Sequence, residues 1–536
     1  MNQILLRREI HYGRVMSCLA ERPANIDALL RAAVARNPDG CALVYGALRL
    51  SYRELDSQVE RIAAAWLARG LKKGDRVALL LGNRPEFLLA MQAAARMGAV
   101  IVPMNVRQRR PEILYMLAHS QAAALIYEAE IAAELPDTAE LPELRLLFSV
   151  GEVDGEAEDF DALLVPAPAQ VFEAPGEDEP LCVLYTSGTT GRPKGAILTH
   201  FGLVHSALNF ERGLGLREGD VAALAVPASH VTGLVAILLA ALRVAGTVII
   251  MPAFKARDFL AIVQSERVNY TVMVPAMYNL CLLAPEFAQN DLSSWRVGGF
   301  GGAPMPQATI ARLAEAVPGL RLSNIYGATE TTSPVSILPP GDISTHSDTV
   351  GRLLPGADII VMDAAGREVP PGEMGELLIA GPMTIPGYWN NPTANEANFV
   401  AGFWRSGDIG SIDAAGYLRI HDRMKDVVNR GGYKIYCLEV ENVIARYPGV
   451  VECAVVGYPD SVLGERVAAF IRGPAAVEAE AIRAHCAVNL SDYKVPELIQ
   501  LLDQALPRNA NGKIVKDELR RLAGPGRQWK ERRCAR

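Results

Sequence analysis

The sequence predicts an α/β protein: two helix-covered parallel-sheet blocks, then a β-rich segment, then a small α+β unit at the carboxyl end. Three observations carry that expectation. Helical and strand periods alternate through the first two thirds of the chain. Near Val350 the texture changes to short strands punctuated by glycine and proline. After Asp422 a final block has helices and strands of its own. The 536 residues suffice for about two to four units of roughly 100–200 residues each.

Taken in order, Ser51 is an N-cap for a helix over Tyr52 to Leu67. Gly74-Asp75 turns into the apolar run Arg76 to Leu81, a buried strand. Asn83-Arg84-Pro85 breaks it, Glu86 to Met97 reads as a helix stopped by Gly98, and Ala99 to Pro103 is the next strand. Strand, helix, strand with short punctuation is the βαβ pattern of a parallel sheet. The acidic, proline-rich stretch Glu152 to Pro180 reads as a linker. Beyond it Val221 to Val226, Thr247 to Met251 and Tyr270 to Val274 resume the strand pattern, giving one α/β block on each side of the linker. Gly351, Pro355-Gly356, Pro371-Gly372, Gly375 and Gly381-Pro382 mark turns of antiparallel sheet. In the last block Val451 to Val456 and Ala468 to Ile471 read as strands, and the basic tail from Gly524 as frayed.

Composition excludes several classes. Half of the residues are apolar and 21% charged, as in a globular chain with a large core. With 53 Lys and Arg against 60 Asp and Glu, the net charge of −7 makes a poor generic polyanion binder, so no nucleic-acid partner is expected. The eight cysteines show no C-x-x-C spacing and no pairing with histidines. That argues against a zinc site or a disulfide framework and fits the cytoplasm. The first 25 residues lack the apolar core of a secretory signal. The longest unbroken apolar stretch, Leu234 to Leu242, is too short to span a bilayer, so no stable membrane insertion is expected.

The strongest local signal runs from Leu184 to Gly195. An apolar strand enters a loop of Thr186, Ser187, Gly188, Thr189, Thr190 and Gly191, followed by Arg192, Pro193 and Lys194. Glycines let backbone N–H groups approach an anion, hydroxyls donate to phosphate oxygens, and lysine supplies a compact positive charge. The spacing is not that of the Walker loop, which disfavours a kinase or P-loop NTPase.

This loop resembles the phosphate-binding signature of acyl-adenylate-forming enzymes, the family of acyl-CoA synthetases, coumarate-CoA ligases, luciferases and peptide-synthetase adenylation domains. The likeness continues in order from Leu50 to Leu519. It implies a large amino-terminal domain over 1–421, a hinge over 422–426 and a small mobile domain over 427–536. The segment Asn324-Ile325-Tyr326-Gly327-Ala328-Thr329-Glu330 corresponds to the family's adenine and α-phosphate site, with Glu330 as the Mg²⁺ ligand and Thr329 beside it. An aromatic ring can stack on a purine, and a carboxylate beside phosphates needs a divalent cation to offset repulsion. Gly302, Ala303 and Pro304 resemble the segment that lines the acyl pocket and reaches adenine. Asp408 is implied to accept from the ribose hydroxyls, and Arg423 to touch the ribose. Lys425 becomes the hinge residue and Gly431-Gly432 the wall of the pantetheine tunnel. Lys513 is implied as the catalytic lysine bridging the substrate carboxylate and the α-phosphate, and His230 as a wall or gate of the acyl pocket.

The implied chemistry is ATP-dependent, with Mg²⁺, and ends with transfer of the acyl group to coenzyme A. Amino-acid-activating relatives place an aspartate near His230 to pair with the ammonium, and no acid lies between Val221 and Met251. Malonate-activating relatives carry an arginine after the strand Tyr270 to Pro275, where this chain reads AMYNLC without a cation. A second carboxylate would be buried unpaired there. An apolar monocarboxylic acid is therefore expected, a medium- or long-chain fatty acid first and an aryl acid as the alternative. Asn429 and Gly431 stand where coumarate-CoA ligases have lysines, and no role is read for Cys437. A ligase that loads a separate carrier protein and a non-catalytic nucleotide binder are the other readings, and homodimer formation is left open. Keeping both Glu330 and Lys513 argues against the binder, which needs neither.

Overall fold

The computed structural model describes residues 4–153, 155–166, 170–186, 192–303, 305–473, 477–508 and 514–523. Among these, strands assemble into a two-stranded hairpin, sheets of seven and nine strands, and two five-stranded sheets. The seven-stranded sheet runs in the order 194–199, 180–186, 100–104, 76–80, 122–128, 146–150, 158–159. Its pairs are parallel except the first, where Lys194–Thr199 lies antiparallel to Pro180–Thr186. The nine-stranded sheet has Arg321–Tyr326, Val297–Gly301, Tyr270–Met273, Val221–Leu224 and Thr247–Ile250 side by side and parallel. The fold class is the expected one.

The division at the linker is not. The early strands Cys41–Tyr45 and Leu48–Ser51 close the edge of the nine-stranded sheet, while 180–199, beyond the linker, completes the seven-stranded one. Periodicity identifies a strand but says nothing of its partner, so a two-block reading of the linker misassigns both edges. The linker is itself docked. Glu158–Asp159 pairs with the sheet, Phe160 and Leu163 are buried, and Glu173 and Glu179 pair with Lys73.

One hydrophobic core spans both sheets. The helices Pro85–Met97 and His200–Leu214 supply buried residues to it from nearly every turn rather than from one stripe. Ala93, Ala94 and Ala95 keep the first of these thin enough for close packing. Its single buried cation, Arg96, is matched by Asp27, Asp56 and Glu60. Capping follows the sequence: Ser51 and Glu54 form a reciprocal capping box, and Gly98 closes Pro85–Met97 in the left-handed region, φ 74°. The run Leu234–Leu242 folds into a buried π-helical segment, Thr232–Leu239, continued as α-helix over Ala240–Arg243. No described helix is long and apolar enough to cross a membrane.

From Asp358 to Arg423 the chain forms an antiparallel sheet. The last sheet holds Val428–Arg430, Tyr433–Ile435, Glu452–Asp460, Gly464–Arg472 and Leu498–Leu502. Along Gly464–Arg472 the period of two is plain. Val467, Ala469 and Ile471 face the helices Cys437–Ala445 and Ala479–Asn489, whereas Ala468 and Phe470 face Lys516–Ala523.

Candidate active site

Thr186 ends one strand and Lys194 opens the antiparallel strand registered opposite it, so the two ends of the glycine- and hydroxyl-rich segment lie side by side. Its residues Ser187, Gly188, Thr189, Thr190 and Gly191 lie outside the described residues, as do Pro304 and Lys513. The two strands are tightly fitted there. A β-carbon at Gly195 would meet Val183 Cγ1 at 2.7 Å, and the Tyr115 hydroxyl donates to the Pro193 carbonyl at 3.0 Å.

Glu330 reaches the same place from the other sheet. The strand Arg321–Tyr326 ends, a β-carbon at Gly327 would lie 3.2 Å from the Cα atoms of Ser333 and Pro334, and a short turn over Thr329–Thr331 follows. That turn buries Glu330 to 9% exposure. The hydroxyls of Tyr388 (3.0 Å) and Thr186 (3.4 Å) both donate to its Oε1. Lys194 sits across the Tyr388 ring, its ammonium 4.4 Å from the centroid and 3.4 Å from Asn398 Oδ1. Burial holds the Lys194 pKa below its usual value, against the pull of Glu330. Burial first, and then Glu330, pushes the Tyr388 phenol far up. Among the described residues Lys194 and Glu330 do not form an ion pair. A lysine and a carboxylate thus meet one tyrosine, the lysine at its ring and the carboxylate at its hydroxyl, without pairing with each other.

A second cluster forms at the end of the same strand. Tyr326 donates through its hydroxyl to Asp408 Oδ2 at 2.7 Å, and Asp408 lies directly across the sheet from Arg423, at 3.2 Å. Asn324 and Ile325 point elsewhere: the Asn324 carboxamide donates to the Thr349 carbonyl, and Ile325 belongs to the core. Gly302, φ 76°, and Ala303 are exposed just beyond the carboxyl end of Val297–Gly301, beside that strand. This is the crevice where α/β sheets bind ligands. His230 stands ahead of the π-helical segment, its Nδ1 accepting from the Thr232 amide at 3.3 Å.

The remaining expected residues lie with the last sheet. Gly431 and Gly432, φ 58° and 90°, form the two-residue turn between Val428–Arg430 and Tyr433–Ile435. Lys425 is exposed, and its carbonyl accepts from Arg520 at 3.2 Å. Arg520 also pairs with Asp426, and Lys516 with Glu441 at 2.8 Å. Cys437 donates its amide to the buried Asp422 carboxylate, and burial raises its thiol pKa, consistent with no thiolate role.

Tyr388 is the residue that sequence reasoning missed. Its signal was an aromatic pair, Tyr388-Trp389, after Pro386-Gly387, but nothing local links it to Glu330, 58 residues away. Glu9, His11 and Cys18 also gather within 4.8 Å. Both Glu9 oxygens are already taken by Arg22, so that grouping is not a cation site.

The AMP-binding enzyme family model matches residues 30–389, and that of the AMP-binding enzyme C-terminal domain matches 439–513. The chain is 36% identical over 492 residues to a feruloyl-CoA synthase of an Amycolatopsis species, covering 91% of this chain and 97% of the relative. It is 35% identical to the long-chain-fatty-acid–CoA ligase FadD13 of Mycobacterium tuberculosis, with 88% and 93% covered. Among solved structures it resembles the anthranilate CoA ligase AuaEII in complex with anthranoyl-AMP, with a TM-score of 0.87, 26% identity, and 94% and 98% covered. With the fold, the paired sheets and both family segments in agreement, the chain belongs to the AMP-binding family of acyl-adenylate-forming acid–thiol ligases.

Proposed function

We propose that this protein activates an apolar monocarboxylic acid, with an aromatic body, as its acyl adenylate and passes the acyl group to coenzyme A. The observation that carries the reading is the pair Lys194 and Glu330, both in contact with Tyr388 and unpaired with each other, at the end of the strand Pro180–Thr186. A free carboxylate resists nucleophilic attack. Joining its oxygen to the α-phosphate of ATP, with pyrophosphate leaving, makes a reactive mixed anhydride. The enzyme's work is to bring two anions together and to offset the charge that develops.

Lys194 and the loop 187–191 would steady the departing phosphates. Glu330 fits a hard divalent cation: it is buried, hydroxyls occupy only Oε1, and its Oε2 receives no hydrogen bond among the described residues. Glu330, with Thr329 beside it, would hold Mg²⁺, which would neutralise phosphate charge when bound. Asp408, oriented by Tyr326 and Arg423, would accept from the ribose hydroxyls. By its place in the family motif, Lys513 would neutralise the attacking carboxylate. In the second step the coenzyme A thiolate attacks the anhydride carbonyl and AMP leaves, with Gly431 and Gly432 leaving room for the pantetheine arm. Lys425 would be the pivot between the two steps.

The substrate reading moves from the fatty acid that the sequence favoured toward an aromatic acid. Feruloyl-CoA synthase and anthranilate CoA ligase are the relatives that support it. The likeness to FadD13 supports a long-chain acid as the second reading. The test is pyrophosphate release from Mg·ATP across hydroxycinnamic, aminobenzoic, fatty, dicarboxylic and amino acids, each with and without coenzyme A. Sustained turnover with aromatic acids only when the thiol is present is the expected result. Turnover confined to fatty acids would replace the substrate class. A single burst that coenzyme A cannot convert into turnover would point to a carrier-protein acceptor, and no release at all would sink the proposal.

A further inference from the structure

The amino-terminal hairpin, Leu6–His11 paired with Arg14–Leu19, lies ahead of the segment that matches the family. Its turn is unusual. Tyr12 and Gly13 make a two-residue connection with φ of 53° and 72°, a conformation that favours glycine, asparagine or aspartate, and tyrosine occupies the first position. Strain of this kind persists where the surroundings enforce it. Here both flanking side chains reach into the active-site scaffold. The Tyr12 hydroxyl donates to Thr199 Oγ1 at 2.8 Å, the residue that ends the Lys194 strand and caps the helix His200–Leu214. Arg14 donates to the carbonyls of Ile385 and Pro386, both at 3.3 Å, and lies 5.3 Å from the Phe399 ring centroid.

The segment that Arg14 holds is the one that carries Tyr388. Its Ile385 amide donates to the Glu330 carbonyl at 2.9 Å, and Phe399 meets the Tyr388 ring edge-on. Beyond that, Ile197 donates to Gly387 and Trp389 donates to Gly195, so Tyr388 forms an antiparallel bridge with Ala196 in the strand Lys194–Thr199. One strip of backbone therefore touches both the lysine strand and the glutamate turn, and the hairpin tip grips it from behind.

We infer that Tyr12 and Arg14 are positioning residues that set the 385–389 segment, and through it the geometry of Glu330 and Lys194 toward Mg·ATP. The inference rests on the proposed adenylation. Outer contacts that orient a metal ligand are commonly worth about tenfold in affinity or rate.

The test compares the wild type with Arg14→Ala, Arg14→Lys and Tyr12→Asn. Three quantities are measured: Mg²⁺ dependence of pyrophosphate release, thioester formation from supplied acyl adenylate, and Mg·ATP binding by calorimetry. Arg14→Ala should raise the half-saturating Mg²⁺ and weaken Mg·ATP binding by about tenfold, leaving thioester formation within about twofold. Arg14→Lys should recover part of the loss, because an ammonium can still reach one carbonyl. Tyr12→Asn separates fold from positioning. Asparagine suits the turn, so the thermal midpoint should hold or rise, while Mg²⁺ dependence still shifts about threefold. Unchanged Mg²⁺ dependence and binding in all variants would overturn the inference. So would equal loss of both half-reactions in step with a lowered midpoint. If the wild type releases no pyrophosphate but its Mg·ATP binding still depends on Arg14, the adenylation reading falls and the hairpin's role stands. If the wild type neither turns over nor binds Mg·ATP, both fall.

Discussion

The charges around Tyr388 and those around the 422–426 segment are arranged on opposite principles. Near Tyr388, Lys194 and Glu330 are kept apart, each resting on neutral partners: a ring face, a carboxamide and two hydroxyls. Around 422–426 most charges are matched in pairs, Asp408 with Arg423, Asp426 with Arg520 and Glu441 with Lys516, while Asp422 is buried without an ion-pair partner among the described residues. Pairing two charges fixes backbone but spends the attraction that could act on a ligand. Keeping them single is costly in the folded state and leaves both available to an incoming polyanion. The first region leaves its charges free for a ligand, whereas the Asp426–Arg520 and Glu441–Lys516 pairs of the second spend theirs on backbone and side chains of the same chain.

Removing a single charge from the first region should have the largest effect. Glu330→Ala or Lys194→Ala is expected to lower pyrophosphate release by about two orders of magnitude, roughly 3 kcal/mol of transition-state stabilisation. Thioester formation from supplied acyl adenylate should be far less affected. Equal loss in both half-reactions would mean that these groups serve the fold rather than the phosphates. The paired region should respond in stability instead. Arg520→Ala strands the buried Asp426 carboxylate and takes a donor from the Lys425 carbonyl. Since Arg520 is about a quarter exposed, a loss of about 2–3 kcal/mol is expected, short of that for a fully buried pair. Chemical denaturation of Arg520→Ala, Asp426→Asn and the double variant gives the coupling directly. A coupling near zero would show that the two side chains act independently.

Where the signal is local, the sequence was sufficient. The Ser51 cap, the Gly98 stop, the strand and helix over 76–97, and the strand that leads into the loop at Thr186 follow from neighbours along the chain. The shared strand that brings Tyr326 near Asp408 and Glu330 near Lys194 was legible only through the family motif, since those pairs are separated by 82 residues or more. What was not legible depends on pairing between distant strands. The exchange of edge strands across the linker, Tyr388 beneath Glu330, and the reach of Arg14 to Ile385 have no period or spacing to announce them. The π-helical turn at Thr232–Leu239 was hidden for another reason, because a continuous apolar run looks the same in either helix.

The two regions should also differ in their response to pH. Asp422 is buried, and desolvation raises its carboxyl to about 6 from 3.8. Between those values the folded chain keeps the proton while the unfolded chain has lost it. Stability from this group is therefore fully present below about pH 4 and declines as pH rises through about 6, by about 2 kcal/mol once solvent relaxation is allowed for. Asp422→Asn stays neutral and still offers an oxygen to the Cys437 amide. The variant should gain on the wild type from about pH 4.5 to about 6 in urea unfolding and hold a level advantage above that. A constant difference throughout would mean that Asp422 does not titrate there.

The finest test of the contrast is Tyr388→Phe. The change deletes only the hydroxyl that donates to Glu330 Oε1, leaving the ring under Lys194 and the packing against Phe399. A hydrogen bond to a charged acceptor contributes about 1.5–3 kcal/mol, so adenylation should fall by about tenfold or somewhat more. The reason matters more than the size. Without the hydroxyl, Glu330 loses one of its two donors, and the expected consequence is that the two charges close into an ion pair. A paired Lys194 would bind phosphate less well, so the KM for Mg·ATP should rise along with the fall in kcat. Restoring single charges by adding Glu330→Gln should then bring the KM partly back while kcat falls further. If Tyr388→Phe lowers kcat alone, the hydroxyl orients Glu330 but does not keep the charges apart, and the separation must come from backbone on either side of it.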